Sequence, residues 1–511
     1  MILTTAAESR KLDHIAMEAY GLPEAVLMEN AGASVVALTS EEVNWEGASV
    51  TILCGTGNNG GDGFVTARYA AEAGADVVIL LMGHSEHMGE SARMYRKAAE
   101  RMGIPVVEIS RAEEAMPYIS DASIIVDALI GTGLEKAVTG EKAALITCLD
   151  DAEAVILSVD VPSGMNADTG RAEGAVVSAD YTVALGSLKR GHILYPGREY
   201  CGRILYSPIG IPDAARDELD APVRLAEKED VRDWLPRRSP VSHKGKNGFT
   251  GIFAGSDGMA GAGLLAGQGA LYGGAGKVAL VTVKEAEREL AGKVPEVMVS
   301  ALSEEAPYFL ESQAEEAAEK AAAYQAVALG CGLGRAEETQ KFAVSFMKEL
   351  SQVVVVDADA LYGAAKEHFD FHKGKGTYIL TPHVGEFATL TGLSPKDIED
   401  RRIDEARKFA KERGVILVLK GVPTVTALPD GRAWVNTTGN PGMATGGMGD
   451  TLTGVIAALA GQGLSAEEAA AAGVYLHGLA GDILAEKMPV GYTAGDLARA
   501  LPLARKMTEE A

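Results

Sequence analysis

A glycine-rich stretch near the C-terminus ends in a carboxylate and has the composition of an anion-binding turn. It runs from Gly439 to Asp450 (GNPGMATGGMGD), and its five glycines leave backbone amides free to face a ligand. The apolar helix predicted over 451–460 would point its positive N-terminal end at the same ligand. An acid beside an anion site costs electrostatic energy, which is usually tolerated where the acid reacts, so we interpret Asp450 as the general base of a phosphoryl transfer. The alternative is a surface loop in which Asp450 only caps the helix.

Three predicted strands in the first half of the chain run directly into polar, glycine-containing loops. These strands cover residues 49–53, 123–126 and 154–159. The first loop, CGTGNNGGDG over 54–63, has neither the dinucleotide-binding spacing nor the Lys-Ser/Thr of a P-loop, but its amides and carboxylate suit a hard cation beside a phosphate-bearing ligand. The other two loops follow Asp127 and Asp160, each of which taken alone could be a helix cap. Since the carboxyl ends of parallel strands lie at one edge of a sheet, we expect the three loops to form one site.

The second half of the chain repeats this arrangement with different loops. Its predicted strands cover 248–254, 277–282, 326–329, 353–356, 378–380 and 415–419, and a short strand over 433–435 precedes the glycine-rich stretch. His383 follows one of these strands and is interpreted either as a cap or packed histidine or as a ligand contact. Lys420 and Thr424 follow the next and would either form a solvated turn or offer a cation and a hydroxyl to phosphates. A second α/β sheet is therefore predicted.

Length, charge and cysteine content restrict the classes of protein that fit. The 511 residues are too many for one ordinary core, so two or three domains are expected. The net charge of −24 argues against general binding to nucleic acid or anionic membranes, because the overall field repels phosphate. Four scattered cysteines without metal-ligand spacing predict free thiols, and neither a signal peptide nor an apolar run long enough for a membrane span is recognisable. We therefore expect a cytoplasmic protein with no nucleic-acid or membrane partner.

Four motifs of the first half resemble those of the NAD(P)H-hydrate epimerase domain. They are MENAG (28–32), GTGNNGGDG (55–63), DALIGTG (127–133) and DVPSG (160–164). The resemblance implies a Rossmann-like three-layer fold that interconverts the R and S forms of hydrated NADH and NADPH, with a potassium ion bound by Asn59, Asp127 and Ser163. The substrate contacts that it implies are Asn58, Asn59, Gly60, Gly61, Asp62, Gly131, Thr132, Gly133, Leu134, Glu135, Lys136, Ala137 and Asp160. Because epimerisation requires proton transfer near the hydrated ring carbon, either Asp127 or Asp160 is expected to take part.

The second half resembles the ribokinase-like NAD(P)H-hydrate dehydratase family over about residues 225–511. The motifs that carry the resemblance are HKG (243–245), GS (255–256), GLG (332–334), DADAL (357–361), TPHVGE (381–386) and the glycine-rich stretch. The resemblance implies that Asp450 is the catalytic acid/base. It also implies substrate contacts at Ala262, Gly334 and His383, and a nucleotide site formed by Lys420, Gly421, Val422, Pro423, Thr424 and Gly449. Glu386 lies in a matched loop and could help to hold a magnesium-bound phosphate. Cys331 stands where the family often has Pro, a departure that is expected to affect packing more than chemistry.

Together the two resemblances imply a bifunctional repair enzyme with an epimerase domain at 1–215, a linker at 216–240 and a dehydratase domain at 241–511. The substrates would be NADHX and NADPHX, the phosphoryl donor ADP with ATP as an alternative, and a homo-oligomer is expected. The first alternative is a ribokinase-like small-molecule kinase, which leaves the N-terminal half without a purpose. The second is that this half only binds a ligand, and a binding scaffold would not need to keep Asn59, Asp127 and Ser163.

Overall fold

The chain folds into two compact units in a computed structural model that describes residues 1–134 and 136–510. The first unit is Met1–Val223 and the second begins at Arg224. The linker at 216–240 stays a prediction; in the structure these residues include part of one helix, a strand and a second helix. No helix among the described residues combines the length and the apolar character that crossing a bilayer requires. The four cysteines are free, as predicted.

The first unit is built on a parallel sheet. Its strands are β1 (Leu3–Thr4), β2 (Ser49–Cys54), β3 (Asp76–Met82), β4 (Val106–Ile109), β5 (Ile124–Ala128), β6 (Val155–Val159), β7 (Tyr181–Leu185), β8 (Leu188–Lys189) and β9 (Arg203–Ser207). Seven of them form one sheet in the order β4-β3-β2-β5-β6-β7-β9, in which every neighbouring pair is parallel, while β1 pairs with β8 separately. The direction of strand addition changes between β2 and β5, which is where ligands bind in open α/β sheets.

Helices cover both faces of this sheet. They are α1 (Ala6–Glu18), α2 (Glu24–Thr39), α3 (Asn58–Glu72), α4 (Glu90–Arg101), α5 (Met116–Asp121), α6 (Gly140–Thr147), α7 (Gly197–Tyr200) and α8 (Asp213–Leu219). In β2, Ile52 packs in a cluster with α2, α3 and α4, whereas its neighbour Leu53 packs in another with α5 and α6. Both side chains are fully buried, as expected for a parallel strand that is covered on two sides. The predicted Rossmann-like three-layer fold is confirmed.

The second unit contains a larger, mixed sheet. Its strands are β10 (Val223–Leu225), β11 (Phe249–Phe253), β12 (Lys277–Thr282), β13 (Val297–Ala301), β14 (Ala326–Leu329), β15 (Val353–Val356), β16 (Thr377–Leu380), β17 (Ile416–Leu419), β18 (Thr424–Ala427) and β19 (Ala433–Asn436). Their order is β10-β19-β18-β17-β16-β15-β14-β11-β12-β13. Neighbouring strands among β11 to β17 are parallel, whereas β18 pairs antiparallel with β17 and β19 pairs antiparallel with β18. The ribokinase-like α/β fold predicted for this half is confirmed.

Two buried helices of the second unit pack backbone against backbone. Its helices are α9 (Lys228–Trp234), α10 (Ala260–Tyr272), α11 (Lys284–Leu290), α12 (Ala314–Ala321), α13 (Glu337–Glu349), α14 (Ala358–Lys366), α15 (Val384–Thr391), α16 (Pro395–Asp400), α17 (Arg402–Arg413), α18 (Met448–Gly461), α19 (Ala466–Ala485) and α20 (Ala494–Glu509). A Cβ atom at Gly454 of α18 would lie 1.9 Å from the carbonyl oxygen of Ala266 in α10. Glycine is therefore required at 454 for α10 and α18 to approach this closely. This packing fixes the N-terminus of α18, where Asp450 lies.

Two helices begin earlier than the sequence predicts. The residues predicted as a loop over 54–63 enter a helix at Asn58, and the helix predicted over 451–460 begins at Met448. Asn58 to Asp62 and Gly449 to Asp450 therefore lie in first helical turns rather than in loops. The amides of a first turn lack intrahelical partners, so both segments direct unpaired N–H groups at the carboxyl edge of their sheets.

Candidate active sites

A cavity of about 560 Å³ opens at the carboxyl ends of β2, β5, β6 and β7 in the first unit. Eight of the predicted substrate contacts line it: Asn58, Asn59, Asp62, Gly131, Thr132, Gly133, Leu134 and Asp160. The three loops therefore meet at one place, as the strand pattern indicates. The role of these residues as substrate contacts stays a prediction.

The remaining predicted contacts of this unit are not among the residues that line the cavity: Gly60, Gly61, Lys136 and Ala137. A Cβ atom at Gly60 would lie 1.9 Å from the carbonyl oxygen of Gly55, and one at Gly61 would lie 2.6 Å from the Met28 side chain. These two glycines are therefore needed for packing of the first turn of α3. Glu135 lies outside the described residues.

An ion pair between Asp160 and Lys189 lies at the edge of this cavity. Both residues line it, and Lys189 Nζ donates to Asp160 Oδ1 and to the carbonyl oxygens of Leu185 at 2.7 Å and Ser187 at 3.1 Å. The Lys189 side chain is 1% exposed, so its charge is fixed in place by these three acceptors. Asp160 has a positive φ of 66° and also accepts a hydrogen bond from the Leu185 amide at 3.0 Å. The strained backbone and the buried partner hold the carboxylate of Asp160 in one orientation.

Two further acids line the cavity and are poised to carry protons. Burial, more than any other cause, raises the pKa of Asp13 to about 6 and raises that of Asp62 well above its ordinary value. The negative charge of Asp160 raises both pKa values further, and the positive charge of Lys189 opposes it. An acid that can hold a proton near neutral pH thus lies in the same cavity as the carboxylate of Asp160.

Asp127 is buried beneath this cavity and does not line it. Its carboxylate accepts hydrogen bonds from the Ser163 amide at 2.8 Å, the Ser163 hydroxyl at 2.5 Å and the Ser158 hydroxyl at 2.9 Å. These hydrogen bonds lower the pKa of Asp127, but burial raises it by more, so that the pKa lies above its ordinary value. Since both oxygens are engaged and the residue is fully buried, the geometry argues against Asp127 as the group that exchanges protons with a substrate, and of the two acids considered it favours Asp160.

Asn59 contributes an unsatisfied amide beside the Asp127–Ser163 pair. Its Nδ2 atom is buried without a hydrogen-bond partner among the described residues, and its side chain lies against Gly131. Ile130, the residue before Gly131, makes two hydrogen bonds with the Ser163 hydroxyl: its amide donates to the hydroxyl oxygen at 2.8 Å, and its carbonyl oxygen accepts from the hydroxyl at 3.1 Å. Rotating the Asn59 amide by half a turn would replace the orphaned donor by an oxygen, which is the kind of ligand that a hard cation takes. The residues present therefore fit the predicted potassium site.

The N-terminus of α18 in the second unit has the features of an anion site. Gly447, in the left-handed region at φ 89°, precedes the first turn, and no side chain caps that turn. Gly449 lies close to the ammonium of Lys420: a Cβ atom at position 449 would be 3.3 Å from Lys420 Nζ. Glycine at 449 thus leaves room for a ligand between the helix terminus and a cation.

Asp450 belongs to a largely buried polar cluster formed by the residues after β14, the residue after β15 and the first turn of α18. Acidic or thiol atoms of Cys331, Asp357 and Asp450 lie within 4.8 Å of one another. Asp357 accepts hydrogen bonds from Lys420 Nζ and from the Thr453 hydroxyl, each at 2.9 Å. Burial and then the charge of Asp357 raise the pKa of Asp450 to about 6. Asp450 is thus an acid whose pKa lies close to neutral pH at an anion-binding terminus, as a general base requires.

Two contacts of this cluster were not recognised in the sequence. Lys420 is paired with Asp357 rather than free; burial lowers its pKa, but the charges of Asp357 and Glu386 outweigh that effect and raise it. The thiol of Cys331 interacts with Asp450, and burial, followed by the charges of Asp450 and Asp357, raises its pKa far above the ordinary value. That Cys331 affects packing more than chemistry stays a prediction, although its sulfur lies within 4.8 Å of a carboxylate oxygen of the candidate base.

The loop predicted to bind nucleotide, residues 420–424, is held from beneath by one arginine. The Arg402 guanidinium is buried and donates to the carbonyl oxygens of Leu419, Lys420 and Pro423 at 3.4, 3.3 and 3.4 Å. Its other side forms an ion pair with Glu399 at 2.6 Å. Val422 at the tip is 68% exposed. This loop thus presents an open edge to solvent while its carbonyl groups are satisfied internally.

We expect Arg402→Met to lower the free energy of unfolding by about 2 kcal/mol, because several buried carbonyl groups lose their donor. It should also weaken nucleotide binding, since the loop at 420–424 loses its support. Chemical unfolding and equilibrium titration with ADP measure the two effects. Arg401→Met is the matched control, since the Arg401 side chain is 59% exposed and its one ion pair with a described residue is with Glu405 at 2.9 Å; equal effects of the two substitutions would contradict the role given to Arg402.

His383 caps the helix α15. Its Nδ1 atom accepts hydrogen bonds from the amides of Gly385 at 3.0 Å and Glu386 at 3.3 Å, and the Glu386 carboxylate accepts one from the His383 amide at 2.9 Å. The capping interpretation of this histidine is confirmed. The Nε2 atom lies 3.6 Å from Glu386 Oε1, and the His383 side chain is 61% exposed, so the predicted substrate contact remains geometrically open.

The remaining two predicted substrate contacts of this unit, Ala262 and Gly334, flank the loop that follows β14. A Cβ atom at Gly332 would lie 2.9 Å from Ala262 Cβ, which places the start of α10 against this loop. The Gly334 amide donates to Asp359 at 2.9 Å. The loop is thereby fixed near Cys331 and the buried cluster.

Comparisons with known proteins match a different family model to each unit. A sequence model described as NAD(P)H-hydrate dehydratase matches residues 250–503, and one described as YjeF-related protein N-terminus matches residues 24–191. The bifunctional NAD(P)H-hydrate repair enzyme of Thermofilum pendens is 38% identical over 100% of this chain and 97% of its own length. The corresponding enzymes of Moorella thermoacetica and Escherichia coli are 39% and 37% identical, over 100% and 87% of this chain and 98% and 83% of their own lengths.

A solved structure resembles the second unit. The crystal structure of the ADP/ATP-dependent NAD(P)H-hydrate dehydratase of Bacillus subtilis, co-crystallised with ATP/Mg²⁺, is 35% identical in sequence with a TM-score of 0.50. It matches 56% of this chain and 99% of that protein.

Proposed function

The chain belongs to the family of bifunctional NAD(P)H-hydrate repair enzymes, and we propose that its two units catalyse the two successive reactions of that repair. The first unit epimerises the R and S forms of NADHX and NADPHX. The second phosphorylates the S form with ADP and eliminates phosphate, which returns NADH or NADPH. The observation that carries this proposal is the position of Asp450, an acid with a pKa of about 6 at the uncapped N-terminus of α18.

In the dehydratase unit, Asp450 accepts the proton of the ring hydroxyl as that oxygen attacks the terminal phosphorus of the nucleotide. Amides of the first turn of α18 stabilise the negative charge that develops on the transferring group. The bond from phosphorus to the leaving nucleotide breaks, and the nucleotide departs one phosphate shorter. The phosphorylated ring then loses its phosphate together with a proton from the neighbouring carbon, which forms the double bond of the nicotinamide ring.

Lys420 and Asp357 support this chemistry as a pair. The Lys420 ammonium lies next to Gly449 and supplies positive charge to the phosphate site, while the 2.9 Å contact with Asp357 keeps it there. Burial, followed by the negative charge of Asp357, raises the pKa of Asp450 to about 6. The pair therefore serves both the phosphate and the base.

Magnesium is proposed as the companion of the nucleotide. The cluster of Cys331, Asp357 and Asp450 is a poor magnesium site, because it includes a thiol and because both Asp357 oxygens are already hydrogen-bonded. Glu386 fits better, since its carboxylate lies 3.9 Å from Lys420 Nζ at the same edge of the sheet. With the nucleotide bound, the ion would neutralise phosphate charge. ADP is the proposed donor and ATP the alternative, in keeping with the ADP/ATP-dependent relative from Bacillus subtilis.

In the epimerase unit, the ring hydroxyl leaves as water after it receives a proton from Asp13 or Asp62. The lone pair of the ring nitrogen stabilises the cation that remains. Water then adds to the opposite face of the ring carbon, and Asp160 accepts its proton. Lys189 orients Asp160 through their ion pair. One water leaves and one is added, so the net change is inversion at a single carbon.

Potassium would be held by Asn59, Asp127 and Ser163, beneath the loop that carries Gly131. Its charge would compensate the buried carboxylate of Asp127 and attract the phosphates of the substrate to the cavity. This assignment rests on the oxygen-rich donor set and on the orphaned Asn59 amide. A cytoplasmic location, a homo-oligomeric state and the absence of nucleic-acid and membrane partners stay predictions.

The kinase alternative differs in its product. A small-molecule kinase would release a stable phosphorylated compound, whereas the proposed dehydratase releases NADPH and free phosphate. Incubation of the protein with purified S-NADPHX, ADP and magnesium distinguishes the two, with NADPH absorbance and phosphate release as readouts. We expect both to rise in equal amounts. Failure to regenerate NADPH with either ADP or ATP would refute the dehydratase assignment.

A further inference from the structure

A second cavity of the C-terminal unit is lined mainly by cations. It measures about 660 Å³ and lies where α10 ends and α9 and α20 come together. The charged side chains that line it are Arg232, Arg237, Arg238, Arg505, Lys506 and Glu509. Five cations thus face one carboxylate in a chain whose net charge is −24. Such a local excess of positive charge attracts an anion against the field of the whole molecule.

Two of the arginines build the frame of this basic cavity. Arg238 donates to the carbonyl oxygen of Gly274, just beyond the end of α10. Arg505 donates to the carbonyl oxygen of Pro236 at 2.7 Å and to the side chains of Gln462 at 3.2 Å and Glu509 at 2.8 Å. Arginines that satisfy carbonyl groups near helix C-termini have a structural role. These contacts fix the two guanidinium groups within the wall.

The other three cations have no comparable role. Arg232 is 3.5 Å from Asp233, its neighbour in sequence, and Lys506 is 3.5 Å from Glu510 one turn later. Exposed pairs of this kind contribute little stability. Arg237 has no ion-pair partner among the residues that the structure describes. Helix packing therefore does not account for these three charges, and they are available to an anion.

The rest of the wall suits an aromatic group. Leu235, Leu271 and the half-buried Tyr272 supply apolar surface next to the cations. The volume lies in the range of small-molecule sites, about 300–1,000 Å³. We propose that the basic cavity is a second nucleotide-binding site, in which the phosphates contact Arg232, Arg237 and Lys506 and the base packs against Tyr272.

This site is distinct from the phosphoryl-transfer site. Tyr272 is the last residue of α10, whereas Ala262, near the first turn of the same helix, lies at the catalytic loops. A rise of 1.5 Å per residue separates the two positions by roughly 15 Å along the helix axis. The α18 helix likewise has Asp450 in its first turn and is followed at its other end by Gln462, the partner of Arg505. A nucleotide in the basic cavity would therefore contact neither the substrate nor the transferring phosphate.

Equilibrium dialysis with ADP at low ionic strength tests this proposal on the full chain. The Arg237→Glu/Lys506→Glu double variant removes two exposed cations without touching the frame arginines. We expect the double variant to bind one equivalent of ADP fewer than the unmodified protein, or to bind that equivalent at least roughly tenfold more weakly, as loss of charge-assisted contacts requires. Its ADP-dependent turnover of S-NADPHX and its unfolding curve should be unchanged.

A second double variant provides the matched control. Lys293→Glu/Lys348→Glu changes net charge by the same amount at two exposed positions outside the cavity, and it should retain every ADP equivalent. Equal ADP binding by the unmodified protein and Arg237→Glu/Lys506→Glu would overturn the proposal, as would an equal loss in the control. Inorganic pyrophosphate should compete weakly for the lost equivalent, because it lacks a base to contact Tyr272; competition as strong as that of ADP would overturn the assignment to a nucleotide.

Discussion

Replacing Asp450 with Asn is expected to lower kcat for ADP-dependent dehydration about 10²–10⁴-fold, which is the usual contribution of a general base. The substitution keeps the shape of the side chain but removes the group that accepts the hydroxyl proton. ADP should still bind, since the amides of the α18 terminus and the loop at 420–424 are intact. Single-turnover kinetics and ADP titration measure the two properties separately. Asp496→Asn, at the third residue of α20, where the carboxylate completes the capping box of Thr493 and the side chain is 42% exposed, is the matched control and should leave kcat unchanged.

The pH dependence of the same reaction follows from the pKa of Asp450. Its pKa is raised to about 6, and only the ionised form accepts a proton, so kcat should increase as pH rises through about 6 and then level off. Asp357→Asn removes the neighbouring negative charge and releases Lys420, and both changes favour the ionised form of Asp450. In this variant the pH range over which kcat increases should therefore move to lower pH. An unchanged pH dependence of kcat in Asp357→Asn would contradict the electrostatic coupling between the carboxylates of Asp357 and Asp450.

Replacing Asp160 with Asn should slow repair of R-NADPHX to its spontaneous rate, while repair of the S form is unchanged. The carboxylate is the proposed acceptor of the proton of the incoming water, and its loss removes a contribution of about 10²–10⁴-fold. Lys189 keeps its two carbonyl acceptors, at 2.7 and 3.1 Å, so the fold should survive. Conversion of each purified epimer, followed through NADPH formation with excess dehydratase activity, measures the effect. Asp76→Asn, at an exposed strand terminus, is the control.

Asp127→Ala distinguishes a positioning role from a proton-transfer role. Its loss should also slow R-form repair, because the Asp127 carboxylate anchors Ser163 and would compensate a bound cation. Activity of the Asp160→Asn variant should remain at the spontaneous rate at every potassium concentration, whereas residual activity in Asp127→Ala should lose its dependence on potassium. R-form repair that is unaffected by Asp127→Ala would remove Asp127 from the mechanism.

The sheets and the buried strands could be predicted from the sequence because their patterns are local. The valine run of β15, residues 353–356, reads directly as a central parallel strand, and β12 and β14 have the predicted bounds. The first turns of α3 and α18 could not be predicted in this way. Glycine disfavours helix, but the close approach of Gly60 to the Gly55 carbonyl makes glycine necessary in α3, and a Cβ atom at Gly449 would crowd Lys420 Nζ at 3.3 Å. Tertiary packing thus overrides local propensity at both sites.

The charged partners inside the sites escaped prediction for a different reason. Lys189 follows β7, a strand that was not recognised, and a lysine that is 1% exposed runs against the usual preference for the surface. Lys420 and Asp357 are 63 residues apart and meet only when β15 and β17 are placed on either side of β16. The positions at which the predicted strands end indicate which loops meet at the edge of a sheet. They do not indicate which side chains of those loops pair with one another, because that pairing depends on the register and order of the strands.

Complementation between two inactive variants tests the division of labour between the units most directly. A mixture of R- and S-NADPHX is incubated with ADP, magnesium and potassium, and NADPH formation is followed by absorbance. The unmodified protein should convert both epimers, Asp160→Asn should convert the S fraction and then slow to the spontaneous rate, and Asp450→Asn should form almost no NADPH. An equimolar mixture of the two variants should again convert the whole pool. A mixture that does no better than Asp160→Asn alone, or NADPH formation by Asp450→Asn at the normal rate, would contradict two independent active sites with these residues.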